Sequence, residues 1–486
     1  MNREMLKSTT LVSLFILCIV LTGQLMLSLS TDRQDNSIQA LAVEKTFDIK
    51  EIFSPQSFII SFGGGVYTQN YAEENASLWR NVQAELATYF QSPQSLSSFE
   101  SIDEKRWVEM VKSRAVRFKM PFDMTLGDMQ TMLGLDNTLS SRTETINSIL
   151  VSTHDLSSVY FGNESTSEYY KMTGMGLSDH IEKSISSVEK KENIIEYRRM
   201  EDLFALQASL EDQKQNNNIF PITSMLVDFA NVIPEINVKS SDDSTLRSYA
   251  NKAFGKQFNF VKKMKDVDDS IIYLYGYANK ALRLGSDGSI QFTERIQPGS
   301  KLDSISLEEA LQLAMNYIDQ YGGAPSSLYL ANYTMRQDND DNLVYILEFD
   351  YRIRDLPVLT DSIDNGHSIR VEIVGNQVTN FVRAIHRYKD SFMLDYYRRA
   401  LTINEILDRN GNRIQGDYEA KLNQDIQLSE DEIWTRILGD ISNVELAYYV
   451  VDSNTKYLYP VWKVDVGKTS YVFRLYDGRL LKSHDN

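Results

Sequence analysis

The stretch "DRNGNRIQGDYE" offers oxygen ligands at the spacing of a cation loop. Asp408, Asn410, Asn412 and Glu419 fall at positions 1, 3, 5 and 12 of a calcium-binding loop. Position 6 of such a loop needs glycine for a sharp turn, but Arg413 stands there and adds positive charge. The segment therefore reads as a solvated Asn-Gly turn. A second acidic run, Asp338–Asn342, has Phe349 where the bidentate glutamate would fall, and reads as a hairpin loop.

Other chemistries need other patterns. Gly63-Gly64-Gly65 could cradle a phosphate, but no Lys-Ser/Thr pair follows and Val66-Tyr67 continues a strand, so the glycines read as a turn. His154, His180, His367, His386 and His484 form no His-x-x-x-His pair or zinc-hydrolase motif. No G-x-S-x-G elbow is present. The chain carries 67 acidic residues, so carboxylate pairs occur by abundance and read as solvated charge. No enzyme is expected, and with it no catalytic residue, cofactor or metal.

The elements that would position such residues begin with a long apolar run, "LKSTTLVSLFILCIVLTGQLMLSLSTD". No charge occurs from Ser8 through Thr31. As a helix these residues span roughly 36 Å, enough for a hydrocarbon core of about 30 Å. A signal-peptide core is shorter, about 7–15 residues, with small residues close behind it. Here the A-x-A match, Ala40-Leu41-Ala42, lies well beyond the run, and an uncleaved anchor is expected. Arg3 and Lys7 precede the run, which places the N-terminus in the cytoplasm and residues from about 32 onward outside. Thr10, Ser13, Leu17, Gln24 and Ser28 fall within about 60° of one another around that helix. Polar groups on one stripe of a membrane helix suit contact with a partner helix. The competing reading has Ser and Thr bonding to their own helix while Gln24 snorkels to the outer headgroups.

Composition narrows the rest. The net charge of −17 argues against nucleic acid and against a polybasic lipid-binding surface. The single cysteine, Cys18, lies in the apolar run, so the remainder has no disulfide available to it. With 27 Tyr and 21 Phe, a strand-rich interior is expected.

The fold class read from the pattern is α+β: an N-terminal transmembrane helix, then a multi-domain exported region of helices packed on antiparallel sheets. The divisions are 1–30 (cytoplasmic stub and helix), 31–43 (linker), 44–212 (first α+β domain), 216–300 (a helix-on-sheet domain) and 301–486 (one or two such modules). "SFIISFGGGVYTQNY" reads as strand, turn, strand. Asn75–Gln91 and Asp103–Ser113 read as helices. "AVRFKMP" reads as a half-buried strand, with Arg117 and Lys119 on the wet face. "EDQKQNNNIFP" reads as a boundary. Helices from Ser244, Ser306 and Ser429 each precede long alternating strands, a weak internal repeat; Ser306-x-x-Glu309 and Ser429-x-x-Glu432 match capping boxes.

Two quoted segments carry a family resemblance. "NREMLKSTTLVSLFILCIVLT" and "IFSPQSFIISFGGG" resemble the start and the first ectodomain strand of the YycH (WalH) family. Residues 216–486 resemble the paired modules that YycH shares with YycI, similar to small PepSY-type domains. The resemblance implies a single-pass regulatory protein in the cell membrane. Its partners would be a sensor histidine kinase of the YycG (WalK) type and a YycI-like protein, acting in a two-component system that controls cell-wall metabolism. A homodimer stays open. The alternative is an envelope binding protein that senses a wall fragment in a cleft between modules.

Overall fold

The computed structural model describes residues 46–485, apart from 71–75, 92–98, 137, 140–142, 175–179, 193, 205–217, 237, 239–240, 326, 361–365, 395–398, 422–428 and 452–455. The apolar run with Thr10, Ser13, Leu17, Gln24 and Ser28, and the linker 31–43, lie outside the described residues. Among the described residues no helix is long and apolar enough to cross a membrane.

Alternating aromatic and β-branched residues build three large, mainly antiparallel sheets. The first has nine strands: β1 (Ser57–Gly63), β2 (Val66–Asn70), β3 (Phe99–Ile102), β4 (Ala115–Thr125), β5 (Thr145–Ser152), β6 (Ser158–Asn163), β7 (Glu168–Thr173), β8 (Tyr197–Arg199) and β9 (Ile219–Pro221). They lie in the order β3-β7-β6-β5-β4-β1-β2-β8-β9. The β1–β2 turn uses Gly63, Gly64 and Gly65 at φ 83°, 65° and 77°, a conformation that side chains disfavour. The three glycines are a turn, as their setting predicts.

The second and third sheets interleave along the chain. The second contains β11 (Lys262–Lys265), β12 (Ile271–Tyr275), β13 (Lys280–Leu284), β14 (Ile290–Glu294), β15 (Tyr329–Gln337), β16 (Leu343–Asp350), β19 (Ile369–Val374) and β20 (Gln377–Arg383). Its order is β11-β12-β13-β14-β20-β19-β16-β15. The last strands of two helix-plus-four-strand units, β14 and β20, therefore pair with each other. The third sheet contains β10 (Phe229–Pro234), β17 (Arg352–Ile353), β18 (Leu356–Leu359), β21 (His386–Phe392), β22 (Ile441–Tyr449), β23 (Tyr457–Val466), β24 (Thr469–Arg474) and β25 (Leu480–Asp485).

These pairings cross the divisions read from sequence. Strand β9 pairs with β8 in the first sheet, so "NNNIFP" ends within that sheet. The second sheet continues across residue 300. Strand β10 joins the third sheet through β21 and β23.

Helices cover the sheets: α1 (Ile49–Ile52), α2 (Ala76–Phe90), α3 (Glu104–Lys112), α4 (Leu126–Met132), α5 (His180–Glu189), α6 (Met200–Phe204), α7 (Asp243–Phe254), α8 (Leu307–Gln320), α9 (Ile403–Glu419) and α10 (Glu430–Gly439). The Ser306/Glu309 and Ser429/Glu432 capping boxes are both formed, and they fix where α8 and α10 start. Tyr317 of α8 packs against Phe292 and Phe381 of the second sheet. Buried residues from all three sheets form one apolar cluster.

Two sequence expectations fail locally. The "DRNGNRIQGDYE" segment is the body of α9, not a turn. The buried face Ile403, Ile406, Leu407 and Ile414 overrides the turn preference of Asn-Gly, and Thr402 with Glu405 caps the helix. A Cβ on Gly411 would lie 3.0 Å from the Trp434 ring, so glycine there lets the indole of α10 approach. Strand β4 is also not half-wet, since Arg117 is only 4% exposed and pairs with Glu164.

Candidate functional site: a buried polar junction between the sheets

Of the junction residues where charge is buried, sequence named His367 only as one of five dispersed histidines and Lys119 only as a wet-face residue. Charged residues interrupt three apolar strands: Glu348 and Asp350 in β16, Glu445 in β22, and Lys463 and Asp465 in β23. Buried charge is costly unless it is paired and hydrogen-bonded, so such positions mark designed contacts.

The first and third sheets meet through these groups. Gln56, just ahead of β1, donates from Nε2 to Glu445 Oε2 at 3.1 Å. Lys463 Nζ lies 3.5 Å from Glu445 and 3.4 Å from Asp465. Lys119 of β4 donates to Asn443 Oδ1 at 3.2 Å, and Asn443 Nδ2 donates to Asp465 Oδ2 at 3.2 Å. Ser470 donates to the same carboxylate. Burial pulls the Lys463 ammonium down, but Glu445 and Asp465 more than offset this and hold it above the usual lysine value. Burial wins at Lys119, whose ammonium is held below that value despite Glu164 and Glu445.

The second sheet joins through an arginine of the third. Arg352 of β17 donates from Nη2 to the Pro55 carbonyl at 2.7 Å, and its guanidinium lies 4.0 Å from the ring centroid of Tyr329 in β15 of the second sheet. His367 Nδ1 lies 2.8 Å from Asp350 Oδ2, and Nε2 lies 3.6 Å from Glu348. Arg370 also pairs with Glu348 at 3.3 Å. The second sheet also meets helix α4, which follows β4: the Tyr333 hydroxyl donates to Asp128 Oδ2 at 2.6 Å.

No family model matches the chain, and no curated protein does. Among solved structures the chain is similar to the Bacillus megaterium YpeB C-terminal domain, at 14% identity and a TM-score of 0.26, over 50% of this chain and 97% of that one.

Every carboxylate of the junction already faces a cation or an amide donor, and the contacts that cross between sheets are those of Gln56 with Glu445, Lys119 with Asn443, and Arg352 with Pro55 and Tyr329. Among the described residues no group of three His, Cys, Asp or Glu side chains is placed to hold a metal ion. The five histidines are dispersed. His367 belongs to the junction, whereas His386 is buried with neither ring nitrogen hydrogen-bonded among the described residues. Sequence pointed to neither group; the available signal was charge inside otherwise apolar strands.

The two histidines oppose each other in pH. Burial lowers the His386 pKa, so protonation in the unfolded chain costs stability as pH falls through about 6.5. Burial also lowers His367, but its bond to Asp350 and the charges of Asp350 and Glu348 raise it above the usual imidazole value, with Lys463 opposing. A raised folded value gives stability that is complete below about pH 6.5 and is lost as pH rises through the folded value. His367→Gln is therefore expected to lower Tm most near pH 6 and progressively less above neutrality. A Tm difference from wild type that is flat with pH would refute the assignment.

Proposed function

We propose that this chain is a non-enzymatic regulatory protein held in the cell membrane by its N-terminal helix, with residues from about 32 outside the cytoplasm. It acts on a sensor histidine kinase that controls cell-wall metabolism, beside a YycI-like protein. The observation that carries this reading is the uncharged run Ser8–Thr31 with its polar stripe. The quoted N-terminal residues that resemble YycH supply the partner class. A body whose sheets are tied by buried polar contacts suits the role, because it can transmit a contact made at one place to another. The protein biases two arrangements of the kinase helices by binding one better than the other.

The test is the double substitution Gln24→Leu with Ser13→Leu. Co-purification of the kinase is expected to fall several-fold, and target-gene output to change with it. Unchanged values for both, in a chain whose truncation before residue 46 abolishes them, would remove the stripe from the mechanism.

A second reading is an envelope binding protein that senses a wall fragment in a cleft between modules; the surface hollow of about 450 Å³ lined by Glu104, Lys105, Val108, Glu109, Lys112 and Glu201 lies inside the first domain and is not such a cleft. A rise in Tm on adding wall fragments would favour it.

A further inference from the structure

The second sheet ends on β11, which is paired on one side by β12 and carries no strand on the other among the described residues. All four of its residues, Lys262–Lys265, are exposed. Large exposed apolar side chains lie on it and beyond both its ends: Met264 is 41% exposed, Phe260 80% and Tyr277 fully so past the Lys262 end, and Val267 fully so in the turn past Lys265. The strand itself is basic in an acidic chain: Lys262, Lys263 and Lys265 fall within four residues against a net charge of −17, with Asp266, Asp268 and Asp269 in the turn that follows.

Lysine on a sheet edge commonly guards against unwanted strand pairing. That role accounts for the lysines but not for the apolar side chains next to them, which a guarded edge would avoid. A second copy of this chain fits poorly. Antiparallel self-pairing centred on β11 sets Lys262 against Lys265 twice, and opposed like charges destabilise a ladder. A bilayer of anionic lipid fits poorly too, because a broad surface would also meet Asp266, Asp268 and Asp269 in the turn beyond β11, whereas a strand can be confined to Lys262–Lys265. An extended segment bearing carboxylates fits on both counts. Lys263 and Lys265 share one face of the strand, while Lys262 and Met264 share the other, with Phe260 just beyond. The present partners of those lysines are exposed pairs, Lys263 with Asp243 and Lys265 with Asp269, which contribute little and exchange readily.

We propose that β11 is a strand-addition site for an extended, acidic segment of a partner protein, its carboxylates opposite Lys263 and Lys265 and its apolar side chains against Met264 and Phe260. Main-chain hydrogen bonds along the free edge supply affinity, and the lysines select the charge. The proposal deepens the regulatory reading above and rests on it, since it supplies the surface through which a protein partner is held.

The full-length chain in lipid nanodiscs is titrated with two fluorescent eight-residue peptides, one alternating Glu with Val and one alternating Lys with Val. The Glu/Val peptide is expected to bind and the Lys/Val peptide not. The variant Lys263→Glu/Lys265→Glu, at exposed positions, should melt like wild type, lose at least about tenfold in affinity for Glu/Val and gain affinity for Lys/Val. Absence of Glu/Val binding, or binding indifferent to the charge reversal, overturns the proposal. Quenching of a Phe260→Trp variant by brominated phosphatidylglycerol, with no peptide binding, overturns it in favour of a lipid surface. The two readings fail separately. Peptide selectivity without any kinase partner removes the regulatory reading alone, whereas a kinase partner with peptide indifference removes the β11 site alone.

Discussion

Glu235→Ala is expected to lower the stability of the folded chain by about 3–5 kcal/mol, the usual cost of leaving a buried charge unpaired. Glu235 follows β10, and its carboxylate takes two bonds from Arg383 at the end of β20, Nε to Oε2 at 2.5 Å and Nη2 to Oε1 at 2.9 Å. Arg383 is 1% exposed, and beyond this carboxylate its partner is the Gly323 carbonyl, at 2.8 Å. Its Nη1 has no partner among the described residues. Without Glu235 the guanidinium keeps its charge, because arginine does not deprotonate in proteins, and water cannot reach it. Arg387 binds the same carboxylate at 2.9 Å but is 57% exposed, so Arg387→Ala should cost under about 1 kcal/mol. The pair ties three things together: the strand that enters the third sheet, the end of the second sheet, and the Gly322-Gly323 terminus of α8. Urea midpoints for the two single variants, compared with Glu235→Leu/Arg383→Met, decide the matter. If Glu235→Ala costs no more than Arg387→Ala, the buried pair is not what holds this corner.

Local signals were legible in the sequence and long-range ones were not. The caps at Ser306 and Ser429 need only a hydroxyl and a carboxylate three residues on, so they show in one dimension and form as read. The β1 and β2 strands show for the same reason, because their alternation and glycines are contiguous. Helix α9 was hidden because Asn410-Gly411-Asn412 carries strong turn chemistry. What overrides it is tertiary: a buried isoleucine face, and Asn410 donating to the Gly478 carbonyl 68 residues away. Arg117 appeared to belong on a wet face because its partner, Glu164, is 47 residues off in the chain. The junction is the extreme case. Gln56 and Glu445 are 389 residues apart, and no local pattern announces that they meet. The interleaving of the second and third sheets stays hidden likewise, since β10 finds β21 and β23 only in the fold.

At that junction, Glu445→Leu should cost about 3 kcal/mol or more, and Glu445→Leu/Lys463→Leu should recover most of the loss. Glu445 is 2% exposed and is the first among the charges that hold Lys463 in its ammonium form. With leucine in its place, Lys463 keeps Asp465, but Asp465 is already engaged by Asn443 and Ser470. Gln56 loses its acceptor at the same time, which loosens the start of β1 where it abuts β22. Removing both charges replaces an ion pair with apolar volume between two strands that already pair directly, Glu445 opposite Lys463 in the β22–β23 register. The expected pattern is therefore strong coupling, with the double variant more stable than the Glu445 single. Hydrogen exchange separates this from a general loss of stability. Amides of Ser57–Ser61 and Asn443–Tyr449 should exchange faster in Glu445→Leu and slow again in the double variant, while β12–β14 of the second sheet stay unchanged. Equal destabilisation of single and double variants would mean that the leucine, not the orphaned ammonium, disturbs the site. A neutral single variant would mean that Glu445 is not among the contacts that hold the first and third sheets together.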